Sequence, residues 1–164
     1  MVTEAVALPL PNRRATRRLA RHIAEHLGPG DLVILTGSLG AGKTFLTRGL
    51  FRELGVPARE RITSPTFSLV EEYEARLSVR HADLYRVEDE SEIAELGLGD
   101  ARAGGAALIV EWGAPYVSLL GGDALLLTLE VSPGGGRLAK LSADGARSRE
   151  LCAAILRGVA PAPL

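Results

Sequence analysis

The stretch that decides the fold runs from residue 32 to residue 44 and reads Leu-Val-Ile-Leu-Thr-Gly-Ser-Leu-Gly-Ala-Gly-Lys-Thr. Its first four residues form a short apolar run, which is typical of a strand buried on both faces of a parallel sheet. Residues 37–44 then match the phosphate-binding pattern G-x-x-x-x-G-K-[ST] in full. A helix is expected to follow from about residue 42 to residue 54, where Gly55 can end it. Strand, glycine-rich loop and helix in this order predict a P-loop nucleotide-binding domain.

Each part of the loop has a physical role in holding an anion. The glycines let the backbone curl so that successive N–H groups point at phosphate oxygens, and the next helix presents unpaired N–H groups to the same anion. Lys43 adds a positive charge suited to the β- and γ-phosphates, and the Thr44 hydroxyl is placed to ligate Mg²⁺. The loop residues predicted to bind ATP are Gly37, Ser38, Leu39, Gly40, Ala41, Gly42, Lys43 and Thr44.

A P-loop of this kind also needs an acidic group near the magnesium ion, and two strand ends supply candidates. The apolar run at residues 108–110 ends in Glu111, which fits the Walker-B pattern. Asp83, near the end of a strand predicted at residues 78–85, is the second candidate. The pattern predicts Thr44 and Glu111 as the metal-binding pair. The alternative for Glu111 is an ordinary carboxylate in solvent at the end of a strand.

Length and composition limit the class of protein. The 164 residues fit one domain, residues 1–164, with a frayed tail from about residue 160. The formal net charge of -1 excludes a global attraction to nucleic acid or an anionic membrane, so any RNA contact must come from a local patch or from a partner. With one cysteine, Cys152, an internal disulfide is impossible. No signal peptide and no membrane span are recognised. We therefore expect a cytoplasmic protein without a membrane or DNA partner.

The remaining elements extend the pattern on both sides of the P-loop. They are a helix capped by Asn12 and running to about residue 27, a hairpin of strands at residues 67–73 and 78–85, a short helix after the Asp89/Glu92 capping box, a strand at residues 108–110, a second hairpin at residues 125–131 and 137–143, and a helix at about residues 148–157. Strands and helices alternate early, and hairpins come later. This order predicts a three-layer α/β domain of the P-loop NTPase type, with a mixed, largely parallel central sheet and hairpins.

Several blocks beyond the P-loop give the chain its resemblance to a known family. They are Ser64-Pro65-Thr66-Phe67, residues 69–73, His81-Ala82-Asp83-Leu84-Tyr85-Arg86 and Glu111-Trp112. In this order and spacing the chain resembles the TsaE (YjeE) family of small bacterial ATPases, over roughly residues 31–131. That family assists the making of threonylcarbamoyladenosine on tRNA. The resemblance implies a Mg²⁺-dependent ATPase that works as an assembly or reset factor through TsaD and TsaB proteins and meets tRNA only indirectly.

The resemblance also implies roles for single residues. Lys43 and Thr44 would hold ATP and Mg²⁺, and Glu111 would complete the metal shell directly or through water. Thr66, which follows the Ser64-Pro65 turn, resembles a switch element that senses the γ-phosphate. Asp83 would support hydrolysis by orienting the water or the metal. The catalytic set implied in this way is Lys43, Thr66, Asp83 and Glu111. Trp112 is expected either beside this site or in ordinary core packing.

The arginines leave alternatives open. Those at positions 13–21 are either a solvated helix face or a docking patch for a partner or for tRNA phosphates. Arg48, Arg86 and Arg137 are each candidates for stabilising the transferring phosphate in cis. The segments near residues 11–14 and near Arg137 are candidates for recognising adenine, so Arg137 is included among the ATP-binding residues.

Three other functions are alternatives to a partner-dependent ATPase. A small-molecule kinase would use an arginine-rich lid, and no long insert with clustered arginine follows the P-loop helix. A GTPase would ordinarily carry Asn-Lys-x-Asp, whereas Asn12 is the only asparagine in the chain. A module that binds ATP without productive hydrolysis stays open.

Overall fold

A computed structural model describes residues 2–159, so the tail expected to fray from about residue 160 lies outside the described residues. These residues fold around one seven-stranded sheet. The strands are β1 (Val6–Leu10), β2 (Leu32–Thr36), β3 (Val70–Glu74), β4 (Ser78–Asp83), β5 (Ala107–Glu111), β6 (Ala124–Val131) and β7 (Arg137–Ala143). The helices are α1 (Arg13–His26), α2 (Lys43–Leu54), α3 (Glu90–Glu95), α4 (Leu98–Ala103) and α5 (Ala146–Val159), with a 3-10 turn at Ala114–Tyr116.

The middle of the sheet is parallel and its edges are antiparallel. The strand order is β1-β7-β6-β2-β5-β4-β3. Strand β2 pairs in parallel with β6 and β5, and β5 pairs in parallel with β4. The pairs β1–β7, β6–β7 and β3–β4 are antiparallel. The last two are the hairpins expected from the sequence, and the predicted mixed, largely parallel α/β sheet is confirmed.

The apolar run of β2 is buried on both faces, as its sequence predicts. Val33 and Leu35 belong to the core formed with α1, α2 and α5. Leu32 and Ile34 belong to the core formed with α3 and α4 on the opposite face. Successive side chains of a strand point to opposite faces, so one strand can serve both cores. Each large aliphatic side chain buried in this way contributes about 1.5–3 kcal/mol.

Local capping interactions determine where α1 begins and where α2 ends. Asn12 caps α1, since its side chain accepts a hydrogen bond of 2.9 Å from the Ala15 N–H. Gly55 ends α2 with a φ of 100° and donates to the carbonyls of Phe51 and Arg52. Both ends agree with the sequence-based expectation. None of the helices within residues 2–159 is long and apolar enough to cross a membrane.

Three details differ from the sequence-based expectations. Strand β1 was not predicted, because it is a short edge strand that contains a proline, Pro9. Helix α4 was not predicted either; it begins directly after Gly97, whose φ of 67° separates it from α3. The first hairpin strand starts at Val70 rather than at residue 67, since residues 66–68 form a turn in which the Leu69 N–H donates to the Pro65 carbonyl.

The candidate site lies where three parallel strands end. The P-loop follows β2, Glu111 is the last residue of β5, and Asp83 is the last residue of β4. In the sheet register Glu111 is paired with Leu35 on one side and with Asp83 on the other. Ligands of open α/β sheets bind outside the carboxyl ends of the strands, so we expect the ligand-binding site at this edge.

Candidate functional site

The P-loop, residues 37–44, is shaped to present backbone N–H groups. Helix α2 begins at Lys43, and no side chain caps its first N–H groups. Such groups are hydrogen-bond donors in search of an acceptor, and they lie at the positive end of the helix dipole. Gly37 has a φ of 150°, and a Cβ there would lie 2.6 Å from the Leu129 carbonyl oxygen. Only glycine therefore fits at the start of the loop.

Lys43 directs its ammonium group into the loop. The side chain is buried, and Nζ donates to the carbonyls of Gly37 and Ser38, the latter at 3.4 Å. Nζ also lies 5.2 Å from the centre of the Trp112 ring. A cation and a set of uncapped N–H groups together form a donor set that fits a polyphosphate.

A cavity of about 730 Å³ separates the P-loop from the strand ends that face it. This volume is in the range of small-molecule sites. Its walls contain P-loop residues together with residues far away in the chain that the sequence analysis predicted to be catalytic. The lining consists of Ser38, Leu39, Gly40, Gly42, Lys43, Thr44, Ser64, Thr66, Asp83, Tyr85, Arg86, Glu111 and Trp112. Thr66, Asp83 and Glu111, the three predicted catalytic residues outside the loop, thus share one cavity with Lys43.

Four polar residues lie opposite the P-loop, and we call them the acidic wall. They are Ser64, His81, Asp83 and Glu111. The Ser64 hydroxyl lies 3.3 Å from the Thr44 hydroxyl and donates to Glu111 Oε2 at 2.8 Å. His81 Nε2 lies 3.0 Å from the same carboxylate oxygen. A continuous chain of polar contacts therefore joins the P-loop helix to β5 and β4.

His81 is the most deeply buried member of the acidic wall. Its side chain has no exposure, and its ring meets the edge of Phe51 at 5.6 Å between ring centres. Nε2 faces a carboxylate, which can only accept, so Nε2 carries a proton. Within residues 2–159 Nδ1 is buried without a hydrogen-bond partner. The hydrogen bond to Glu111 is therefore the one polar contact that the described residues offer to the His81 ring.

The pKa values of the two carboxylates of the acidic wall are shifted in opposite directions. Burial by itself raises the pKa of Glu111, but the hydrogen bond and charge of His81, the hydrogen bond from Ser64 and the charge of Lys43 together bring this pKa below its ordinary value. Glu111 is thus an ionised carboxylate although it is only 2% exposed. For Asp83, burial raises the pKa above its ordinary value, and the charge of Glu111 adds to this. The opposing contributions are weaker and include a 3.0 Å hydrogen bond from the Tyr85 N–H.

The oxygens of this region fit a magnesium ion. Thr44, Ser64 and Glu111 place two hydroxyls and one ionised carboxylate in direct succession. Mg²⁺ takes oxygen ligands and is usually held by one or two carboxylates together with substrate phosphates and water. Within residues 2–159 there is no group of three or more His, Cys, Asp or Glu that could hold a metal ion by itself. The arrangement suits a metal that arrives with a phosphate ligand.

Large apolar side chains are exposed in and beside the cavity, where Leu39, Tyr85 and Trp112 line it and Phe67 lies against Arg86. Leu39 is 99% exposed, Phe67 is 87% exposed and Trp112 is 40% exposed, while Tyr85 packs its ring 5.0 Å from that of Trp112. The core-packing alternative for Trp112 is therefore wrong. The inward place is taken by Gly113, where a Cβ would lie 2.6 Å from Val110 Cγ1. Trp112 has a φ of 58°, a strained value for a residue other than glycine, and this turn directs its side chain outward.

The three candidate arginines have different surroundings. Arg137 lies behind the P-loop and donates to the carbonyls of Ala41 and Gly40 at 2.9 and 3.3 Å. Arg48 makes a long contact of 3.5 Å to the Ile62 carbonyl. Arg86 lines the cavity, with its guanidinium 5.0 Å from the centre of the Phe67 ring. Arg86 is therefore the one of the three that the cavity contains.

A second, smaller pocket of about 250 Å³ opens on the other side of the P-loop. Its lining includes both segments that the sequence analysis associated with adenine. The lining residues are Leu10, Pro11, Asn12, Arg13, Thr16, Ala41, Gly42, Phe45, Leu129, Gly136 and Arg137. The pocket is partly apolar and lies beside the start of α2, where a nucleotide base could extend from phosphates held in the loop.

Sequence reasoning assigned no role to Ser64 and His81, although both stand in the blocks that carry the family resemblance. A signal existed for His81, because it lies two residues before Asp83 on β4 and so shares its face of the strand. No local signal existed for Ser64. Its contacts bridge 20 residues to Thr44 and 47 residues to Glu111, so they arise only from the fold.

The chain is similar to known proteins over most of its length. A family model described as Threonylcarbamoyl adenosine biosynthesis protein TsaE matches residues 10–137. The tRNA threonylcarbamoyladenosine biosynthesis protein TsaE of Rickettsia felis is 35% identical over 142 residues, which cover 86% of this chain and 82% of that protein. The protein of the same name from Bacillus subtilis is 35% identical over 147 residues, with 89% and 90% covered. The crystal structure of Bacillus subtilis YdiB superposes with a TM-score of 0.79 at 28% identity, covering 96% of this chain and 97% of that one.

Proposed function

This chain belongs to the TsaE family of tRNA threonylcarbamoyladenosine biosynthesis, and from that premise we propose that it binds and hydrolyses Mg²⁺-ATP in the cavity between the P-loop and the acidic wall. We further propose that hydrolysis serves threonylcarbamoyladenosine modification at position 37 of tRNA in the cytoplasm, through TsaD and TsaB partners. The chain would then act as an assembly or reset factor and would release no small-molecule product apart from ADP and phosphate.

The P-loop would bind the phosphates. Its backbone N–H groups and the uncapped start of α2 would surround the β-phosphate, and Lys43 would leave its loop carbonyls to contact the β- and γ-phosphates. The base would occupy the smaller pocket behind the loop, where Arg137 fixes the loop by its bonds to Ala41 and Gly40. Arg137 would thus support nucleotide binding without touching the transferring phosphate.

Thr44 and Glu111 would hold the metal. When bound, Mg²⁺ neutralises negative charge on the β- and γ-phosphate oxygens. Ser64 and His81 both donate to Glu111, so they would keep its carboxylate ionised and aimed at the Thr44 hydroxyl. In this role Ser64 and His81 are positioning residues that act through Glu111.

Asp83 would orient and deprotonate the attacking water. Its raised pKa makes it a better proton acceptor than Glu111, whose lowered pKa suits a permanent anion. Thr66 would sense the γ-phosphate through its hydroxyl, and Arg86 would supply positive charge from the cavity wall. The opposite pKa shifts of the two carboxylates support separate roles for them, with Glu111 at the metal and Asp83 at the water.

The exposed apolar side chains in and beside the cavity support a dependence on a partner. Leu39 and Trp112 line the cavity and are exposed, and the exposed Phe67 lies against Arg86, another lining residue. A partner surface that covers them would also exclude water from the cavity and order the segment around Thr66. Turnover by the isolated chain is therefore expected to be slow.

One observation carries the proposal: an ionised, buried Glu111 is joined through Ser64 to the hydroxyl of Thr44 in a complete P-loop. The test is ATP turnover by the purified chain, alone and with TsaD and TsaB from the same source. We expect strong stimulation by the pair and its loss in Thr44→Val, with Thr128→Val as the matched control outside the cavity. Unchanged slow turnover together with no ATP-dependent binding to the pair would overturn the proposal.

A further inference from the structure

The net charge of -1 conceals two oppositely charged parts of the chain. Residues 12–62 contain ten Lys or Arg and four Asp or Glu, whereas residues 70–100 contain three and ten. The basic part holds α1, α2 and the segment after α2. A local field of this kind can attract a polyanion that the protein as a whole would not attract.

The basic charge is concentrated on one face of α1. Arg13, Arg17 and Arg21 follow one another at helical i, i+4 spacing, with Arg14 and Arg18 beside them, and all five are exposed. Within residues 2–159 only Arg21 has a carboxylate at ion-pair distance, Glu25 at 3.8 Å. Like charges at this spacing destabilise a helix, and positive charge in its first turn opposes the helix dipole. The helix thus carries a surface that its own stability does not favour.

Helix α2 extends this surface through Phe45. The guanidinium groups of Arg13 and Arg17 lie 5.6 and 5.5 Å from the centre of the Phe45 ring. A groove of about 340 Å³ runs between the two helices and is lined by Arg17, Phe45, Arg48, Gly49, Arg52 and Glu53. We call this surface, made of Arg13, Arg14, Arg17, Arg18, Arg21, Arg48 and Arg52, the arginine face.

Part of the arginine face is fixed in place by the fold. Arg52 donates to the carbonyls of Val56, Pro57 and Glu60, with the first at 3.2 Å. These bonds use neutral acceptors, so the positive charge stays uncompensated. They also hold the segment after α2, which presents Arg59 and Arg61 to solvent. A guanidinium held in this way loses less conformational freedom when it binds a ligand.

We propose that the arginine face binds the phosphate backbone of the substrate tRNA directly. Guanidinium groups bind phosphate by paired hydrogen bonds, and several of them spread over two helices match a polymer with repeated phosphates better than a single anion. Contacts to phosphate carry no sequence information, so we expect binding to be governed by charge. The proposal rests on membership of a tRNA-modification family, not on ATP hydrolysis.

The test measures binding of the chain to the unmodified, end-labelled tRNA transcript by fluorescence anisotropy, without nucleotide, at about 50 and 200 mM salt. The face variant is R18E/R21E, at two exposed positions of α1 that line neither pocket beside the P-loop, and the matched control is R149E/R157E, which makes the same change in net charge on α5. We expect micromolar binding by the native chain, at least about tenfold weaker binding by the face variant, and a salt slope reduced by about 2. The control should bind within about threefold of the native chain.

Two results would overturn the proposal. The first is absence of tRNA binding by the native chain at the lower salt concentration, or equal weakening in both variants. The second is loss of binding to the TsaD–TsaB pair by the face variant while its tRNA affinity is unchanged, which would assign the arginine face to a protein partner. Circular dichroism checks that the face variant folds. ATP turnover of the face variant should equal that of the native chain, so failure of this proposal and failure of the ATPase proposal are separable.

Discussion

The P-loop and the acidic wall face each other across one cavity but are built in different ways. The P-loop is eight consecutive residues whose backbone offers the binding groups. The acidic wall gathers side chains from a loop and from the ends of β4 and β5, and its contacts bridge 30 and 47 residues. The half of the site proposed to bind the phosphates is therefore encoded in a local stretch of sequence. The half proposed to act in hydrolysis forms only once the sheet register is set.

This difference predicts distinct consequences of mutation. A change in the P-loop should weaken nucleotide binding and turnover together, because the loop touches the phosphates throughout the reaction. A change in the acidic wall should lower kcat and leave KM nearly unchanged, because the wall acts on the metal and the water.

Lys43→Ala should have the largest effect, since it removes the only full positive charge of the P-loop. We expect kcat/KM for ATP to fall by about 10³-fold or more, with weaker nucleotide binding. Steady-state turnover and calorimetry measure the two effects. Lys140→Ala is the control, because Lys140 is the only other lysine of the chain and pairs with Glu130 on the surface at 2.7 Å. Equal loss in both variants would contradict a specific role for Lys43.

Asp83→Asn should lower kcat by about 10²-fold and leave ATP affinity within a few-fold of the native value. The physical reason is that an amide cannot accept the proton of the attacking water. The exposed Asp100→Asn change on α4 is the matched control. Native turnover in Asp83→Asn would contradict a role for this carboxylate in hydrolysis.

Arg137→Ala should weaken ATP binding by about tenfold and leave kcat at saturation close to native. The side chain holds the Ala41 and Gly40 carbonyls from behind the loop, so its loss should loosen the P-loop without removing a group from the cavity. Fluorescence titration with a labelled ATP analogue measures this change, with Arg157→Ala as control. A large loss of kcat at unchanged affinity would place Arg137 at the transferring phosphate.

The pH dependence of stability should distinguish the two carboxylates in the nucleotide-free protein. The pKa of Glu111 is lowered on folding, so its stabilising contribution is present above the unfolded pKa and is lost as pH falls through the folded one. The pKa of Asp83 is raised, so its ionisation destabilises the fold above the folded pKa, and this cost disappears in acid. As pH falls from 7 to about 4, Asp83→Asn should approach native stability from above, whereas Glu111→Gln should approach it from below only at pH values under about 4. Urea unfolding measures both, and parallel curves would contradict the assignment.

The sequence predicted the P-loop, both of its flanking elements and the two carboxylates, because each is marked by a local pattern. Glu111 ends the apolar strand β5 and Asp83 ends the mixed strand β4, and strand ends of a parallel sheet meet at one edge. Ser64 and His81 received no role because their partners lie far away in the chain. Strand β1 was missed because an edge strand with a proline lacks the usual strand pattern. The outward turn of Trp112 depends on the tight packing of Gly113, which composition and spacing do not reveal.

The most direct test of the division between the two halves is a Mg²⁺-ATP titration of turnover by Glu111→Gln. This change keeps the shape of the side chain and removes its charge. We expect a kcat at least about 10²-fold below native with KM within about threefold, while the control Glu130→Gln, at a surface ion pair with Lys140, keeps both values. A native kcat, or a loss confined to KM, would contradict the claim that the P-loop binds the nucleotide and the acidic wall drives its hydrolysis.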